Sequence, residues 1–284
     1  MTTTLNAFLT GLRQAFGNLR LWLLLYVVNL LVAGLVAYPL FGFMNKRLST
    51  IPLVDQLRVG FDFTVVFDFF NQYGDALGIF QSLTVGGVLL FLLLSVFTTG
   101  GVLHHFLQSE SADGLHHFWT GGARYYWRIF RLTLYFWLFQ SALLVVLLSV
   151  LGRIFGGWPE QYDHEGQVLQ RVYWVLPVYL FFAAMLMLTQ DYAKVKLVAT
   201  NPTWLFQPIM DAFRWVFRHL PTVLLLALLN LLVFGLLLWL NQQISLAQPL
   251  WWAFVGGQLL VFLRVGTKLL NLGSIQKLHQ LKSS

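Results

Sequence analysis

Cysteine is absent from the 284 residues. That removes disulfides, thiolate nucleophiles and Cys-ligated zinc or iron–sulfur centres. Charge is also scarce, at 10% of residues against roughly 25% in soluble domains. The chain has no HExxH, GxSxG, phosphate-loop or GxGxxG pattern, so no metalloprotease, serine hydrolase, nucleotide hydrolase or dinucleotide enzyme is indicated. The first twenty residues lack the basic start, short apolar core and small-residue cleavage site of a secretory signal, and are expected to stay in the mature protein. No enzyme activity and no cofactor is expected.

What is present is apolar surface. Hydrophobic residues make up 58% of the chain, against roughly 45–50% in soluble proteins. Runs near the roughly 20 residues that cross a bilayer as a helix occupy 21–43, 79–103, 132–151, 172–189, 222–240 and 250–263. The expected fold is all-α, a polytopic membrane bundle of six transmembrane helices.

Charge orients these runs, because Lys and Arg collect in short cytoplasmic loops. With the N-terminus inside, the inner side holds Arg13, Arg20, Arg124, Arg128, Arg131, Lys194, Lys196, Arg214, Arg218, Arg264, Lys268, Lys277 and Lys282. The outer side holds only Lys46, Arg47, Arg58, Arg153 and Arg171. The bias predicts both termini in the cytoplasm and places the protein in a bacterial inner membrane. The net charge of +7 is then a signal for an anionic membrane surface, and nucleic acid is not an expected partner.

Three times a basic, aromatic, amphipathic stretch runs into an apolar segment, starting near residues 5, 115 and 203. In the first, Leu5, Phe8, Leu9, Leu12, Phe16 and Leu19 recur at spacings of three and four, with Arg13 and Arg20 on the other side. The second carries Arg124, Arg128 and Arg131, and the third Arg214 and Arg218. The closest literal match is FLTGLR at 8–13 with FWTGGAR at 118–124. The pattern predicts one membrane domain over 1–284 built of three helical hairpins, each preceded by an interfacial amphipathic helix. Gly17, Gly121-Gly122 and Pro221 mark the expected bends, and Asn201-Pro202 is expected to open the third amphipathic helix as cap and first residue. The stretch 44–78, with Phe61, Asp62, Phe67 and Asp68, reads as an outer-surface helix or lid. Residues 156–170 read as a solvated loop, and 241–249 as a tight reconnection.

Polar residues inside spans cost at least roughly 2.5–3.5 kcal/mol at the bilayer centre and so are functional candidates. Asp191 ends the fourth span, while Arg264 and Lys268 follow the sixth, which predicts an ion pair between the two helices. Asn29 and Asn230 occupy similar points in the first and third repeats and are expected to hydrogen-bond across helices. The pairs His104-His105 and His116-His117 are poor chelates, since neighbours on a helix point roughly 100° apart. They read as interfacial residues, and no metal is expected.

The segment DYAKVKLVATNPTWLFQPIMDAFRWVFRHLPTVLLLALLNLLVF, from Asp191 to Phe234, resembles a group of bacterial integral membrane proteins that includes the membrane domain of some glycerophosphoryl diester phosphodiesterases. The resemblance implies a non-catalytic six-span domain. The resulting expectation is a scaffold associated with membrane lipids. The alternatives are a transporter or channel using Asp191 and Arg264, and an accessory subunit of a larger membrane complex.

Overall fold

The computed structural model describes residues 2–48, 74–108, 114–154, 165–246 and 250–283. Among them are eight α-helices and no strand: α1 (Thr2–Gly17), α2 (Leu19–Leu48), α3 (Gly74–Leu107), α4 (Gly114–Ile154), α5 (Glu165–Thr200), α6 (Phe206–Arg218), α7 (Leu220–Leu246) and α8 (Leu250–Ser283). Five are long and apolar enough to cross a membrane, over Leu19–Pro39, Gln81–Leu107, Leu115–Val150, Val175–Thr200 and Leu220–Gln243. The chain is thus of multi-pass membrane type, and α8 is not among those five. Of the stretches expected at 44–78, 156–170 and 241–249, residues 49–73, 156–164 and 247–249 lie outside the described residues, whereas 165–170 and 241–246, expected as loop and reconnection, are helical, in α5 and α7.

Contacts divide the chain into two units, residues 1–22 with 96–284, and residues 23–95. In the smaller unit Gly87 packs beneath Val36, where any added Cβ would collide with the valine. The larger unit contains the polar clusters described below.

Its packing follows one rule used three times. The helical start of each repeat packs against the end of the preceding long helix. Gly121 of α4 sits against His104 of α3, and Phe118 covers Gly101. Asp211 and Trp215 of α6 meet Lys196 and Tyr192 of α5, in antiparallel order. For the first repeat the preceding helix is the last of the chain: Gly11 of α1 meets Leu270 and Ser274 of α8, and Trp22 meets Phe262 and Gly266. The Trp22 indole N–H also donates to the Phe262 carbonyl at 2.7 Å. The two ends of the chain are therefore packed together.

The literal match between the first two repeats has a structural counterpart. Thr10 and Thr120 each donate to the carbonyl four residues back, at 2.7 and 2.8 Å. Gly11 and Gly121, which follow them, both sit where a Cβ would collide with the neighbouring helix. Small residues let helices approach this closely.

Two of the three joints fall beside the residues expected to mark them, Gly17 and Pro221, and the third is missing. Helix α1 breaks from α2 at Asn18, and α6 from α7 at His219, whereas α4 runs unbroken from Gly114 to Ile154. The second amphipathic stretch is thus a continuous extension of its apolar segment. Gly121 and Gly122 lie within that helix and serve packing, against His104 and Phe97.

Asn201 also has another role. Helix α6 starts only at Phe206, and Asn201 closes α5, with φ of 45° and its N–H donating to the Leu197 carbonyl at 3.1 Å. A proline next in sequence disfavours the right-handed helical region at residue 201, and asparagine tolerates the left-handed one. The Arg128 guanidinium donates to the Asn201 side chain and the Pro202 carbonyl, tying this turn to α4. Asn201→Val should cost about 1–2 kcal/mol through the backbone alone, and Asn201→Gly clearly less. Thermal unfolding of the two variants in one detergent checks the order.

Candidate functional site: a polar cluster where three long helices converge

Three long helices, α3, α5 and α8, contribute to one group of polar side chains. Asp191 and Lys194 come from α5, Lys268 and Asn271 from α8, and Thr98 from α3. The Asp191 carboxylate accepts from the Lys194 ammonium at 3.1 Å and from the Asn271 amide at 3.2 Å. Asn271 in turn accepts from the Asn230 amide of α7 at 3.0 Å. Lys268 donates to the Thr98 hydroxyl at 3.3 Å, and the charges acting on it are those of Lys194 and Asp191. The cluster remains in reach of the surroundings, because the Lys194 and Asp191 side chains are 15% and 26% exposed.

This geometry revises the expected pairing. Asp191 bonds to Lys194 and Asn271, and Arg264 is exposed, with only its carbonyl engaged, by the Thr267 hydroxyl. Arg264, Lys268 and Asn271 follow at spacings of four and three, on one face of α8. The amide two turns beyond Arg264 is the group that reaches the carboxylate. Asn230 reaches Asn271 across helices, while Asn29 is half-buried on α2 with no hydrogen bond described. Sequence reasoning missed Asn271 and Thr98, since a lone amide or hydroxyl near a helix end carries no signal until the register is known.

A second cluster joins α5, α6 and the end of α8. The Lys196 ammonium pairs with Asp211 at 2.9 Å. The Trp215 ring lies 4.5 Å from Tyr192, 4.9 Å from His219 and 5.8 Å from His279, between ring centroids. Burial, and then the nearby Lys196 charge, lower the His279 pKa below its ordinary value. A depressed histidine pKa favours the folded state above the unfolded value of about 6.5, and that contribution is lost as pH falls through the folded value. The thermal midpoint should accordingly fall between pH 7 and pH 5. His279→Gln, which cannot titrate, should flatten part of that slope.

The histidine doublets also acquire definite surroundings. The His105 Nε2 lies 2.9 Å from the Asn18 carboxamide oxygen, at the joint between α1 and α2. The His104 ring is edge-on to His117 at 6.3 Å and tilted on Tyr125 at 5.7 Å. Among the described residues no three metal-ligating side chains converge.

The basic residues lie outside this packing. Arg13, Arg20, Arg124, Arg131, Arg214 and Arg218 are exposed, and Arg128 is the one held by a turn. Each repeat start has three sides. On α1 the buried side is small, Thr4, Ala7, Gly11 and Ala15, and Leu5, Leu9 and Phe16 stand exposed beside it. Asn6 and Arg13 form the third side. On α6 the sides are Pro208, Ile209, Ala212 and Val216, then Phe206, Met210 and Phe217, then Gln207, Arg214 and Arg218. On α4 they are Phe118, Gly121, Tyr125 and Ile129, then Trp119 and Trp127, then Arg124 and Arg131. At about 100° per residue, buried, apolar and basic sides follow in the same rotational order in all three. Compared with protein-family models, curated proteins and solved structures, the chain matches none.

Proposed function

We propose that the protein is a six-span scaffold of the cytoplasmic membrane that holds anionic lipid around one packed end. The observation that carries this reading is the three-sided design of α1, α6 and the start of α4. A surface wholly in water has no use for Leu9, Phe16, Phe206 and Phe217 beside its arginines, and a surface wholly in hydrocarbon has no use for the arginines. An apolar side for the acyl boundary next to a basic side for headgroups suits an anionic interface.

The sixth crossing is assigned to the first half of α8. Since α1 packs along the second half of α8, the two ends of the chain belong on one side, which requires an even number of crossings. Five come from the long apolar helices, and the run from Leu250 to Leu263 supplies the last. The excess of basic residues on that side assigns it to the cytoplasm. Cysteine labelling at residues 3, 112 and 280 from the inside, and at 60, 163 and 246 from the outside, tests this topology. An externally labelled residue 280 would overturn it.

Each basic residue near an anionic surface contributes on the order of 1 kcal/mol. Replacing Arg124, Arg131, Arg214 and Arg218 together by glutamine should therefore abolish enrichment of anionic over neutral lipid around the protein in mixed nanodiscs, measured by lipid mass spectrometry. Unchanged enrichment would remove the scaffold reading. A transport reading draws on the Asp191 cluster instead. Ion flux in proteoliposomes that Asp191→Asn abolishes without loss of stability would select it.

A further inference from the structure

Helix α6 is joined to the rest of the chain by two breaks. Residues 201–205 before it are not helical and no side-chain hydrogen bond caps its start, and His219 ends it before α7 begins. Its place therefore depends on what its inner side touches. Pro208, Ile209, Ala212 and Val216 are buried. The Asp211 carboxylate pairs with Lys196 of α5, and the Trp215 ring lies against Tyr192 of α5, His279 of α8 and His219 at the joint.

Titratable groups crowd this contact. Around His279 are Lys196 and Tyr192 from α5, Asp211 from α6 and His219 from the joint. On α1, which packs along this half of α8, no side chain from Thr2 to Leu12 titrates. Lys282, one turn beyond His279, donates to Thr222 of α7 at 3.0 Å. A proton on the half-buried His279 ring sets a second positive charge beside the Lys196 ammonium. Like charges so placed repel, and this ammonium is the one that ties α5 to Asp211. The Trp215 ring attracts an imidazolium, but here two histidines compete for it beside an ammonium.

Protonation of His219 acts on the helix itself. Its Nδ1 lies 3.1 Å from the Trp215 carbonyl; a carbonyl only accepts, so Nδ1 carries a hydrogen and an added proton goes to Nε2. A positive imidazole at a helix C-terminus favours the helix. Acid thus weakens the docking of α6 and leaves its helical form intact.

We propose that α6 is an acid-released arm: protonation of His279 lifts it, as an intact helix, from α5 and α8 between its two breaks. A freed α6 presents Ile209 and Val216 together with Phe206, Met210 and Phe217, beside Arg214 and Arg218, and so has a wider apolar side for an anionic interface. That destination rests on the scaffold reading, whereas the release itself does not and is measured without anionic lipid.

The chain has no cysteine, so Met210→Cys with Gln280→Cys carries two spin labels, at exposed positions of α6 and α8. Their separation is measured by double electron–electron resonance on the full-length protein in a neutral maltoside detergent, at pH 7.5 and pH 5.0 and between. One narrow distance is expected at pH 7.5. A longer one should grow in as pH falls below about 6.5, its ratio to the short one rising at most about tenfold per pH unit, the limit for one proton, and it should vanish on return to pH 7.5. His279→Gln and His279→Phe, the second of which keeps a ring against Trp215, should hold the short distance throughout; if one does not fold, the other decides. Asp211→Asn, which removes the ion pair, should move the opening to higher pH. Labels at Arg13→Cys and Gln280→Cys, between α1 and α8, should keep their separation. No lengthening in the parent pair at pH 5.0, or parent-like lengthening in the His279 variants, overturns the proposal. Equal lengthening of the pair between α1 and α8 overturns it too, because acid would then be unfolding the whole packed end.

Discussion

Asp191→Ala is expected to be among the most destabilising single substitutions in the chain, costing about 2–3 kcal/mol, the range for a charge-assisted hydrogen-bonding group lost from a protected site. The carboxylate holds Lys194 on its own helix and Asn271 on α8. Its removal leaves the Lys194 ammonium and the Asn271 amide without their common acceptor. A fully buried pair would cost more, about 3–5 kcal/mol, but the Asp191 side chain is 26% exposed and water recovers part of the loss. An isolated contact with Lys194 at i+3 would cost only about 0.2–0.5 kcal/mol. Thermal unfolding in detergent separates the two cases. Asn271→Ala should show coupling with Asp191→Ala in a double-mutant cycle, because the lost hydrogen bond is counted once. Additive losses would mean that the contact between α5 and α8 contributes nothing.

Gly11→Leu should release α1 from α8. A Cβ at residue 11 would lie 2.7 Å from the Ser274 backbone nitrogen and 2.9 Å from the Leu270 carbonyl oxygen. Backbone cannot move aside as a flexible side chain can, so the helices must separate. Overpacking of this kind costs typically about 1–3 kcal/mol for modest additions, and leucine adds three carbons more than the Cβ. The expected readout is loss of hydrogen-exchange protection over residues 2–17, with α6 unaffected. Gly17→Leu is the control, since nothing lies within 4 Å of a Cβ there. Equal protection in the two variants would show that the close approach at Gly11 does not hold α1.

Where the long helices lie was readable because apolar runs of that length have few other uses in a chain with so little charge. The helix joints were readable only in part. Gly121-Gly122 looks like a hinge in sequence, yet its lack of side chains serves contact with His104 and Phe97. The breaks at Asn18 and His219 do fall beside such signals, Gly17 and Pro221. The same ambiguity affected α1. Its period of three and four was evident, but which side packs on the protein was not. Leu5, Leu9 and Phe16 are exposed, and the smaller Thr4, Ala7, Gly11 and Ala15 are buried, because close helix approach selects for small volume over hydrophobicity. At the polar cluster the acid was identifiable by its rarity. Its partner depended on a register of two turns along α8, which separates Arg264 from Asn271 and which no local pattern encodes.

The unbroken α4 gives the three repeats unequal mechanics. Its 41 residues extend about 60 Å at 1.5 Å each, about twice the roughly 30 Å hydrocarbon thickness. Helices α2 and α7 begin at joints, Asn18 and His219, that leave their tilt partly independent of α1 and α6. Helix α4 has no such joint. A bilayer that thins and tilts its apolar half must swing the end bearing Trp119 and Arg124 through an arc of several ångströms, dragging the α3 contacts at Gly100 and Gly101. Bilayer thickness would thereby be read by one lever and tolerated by two hinges.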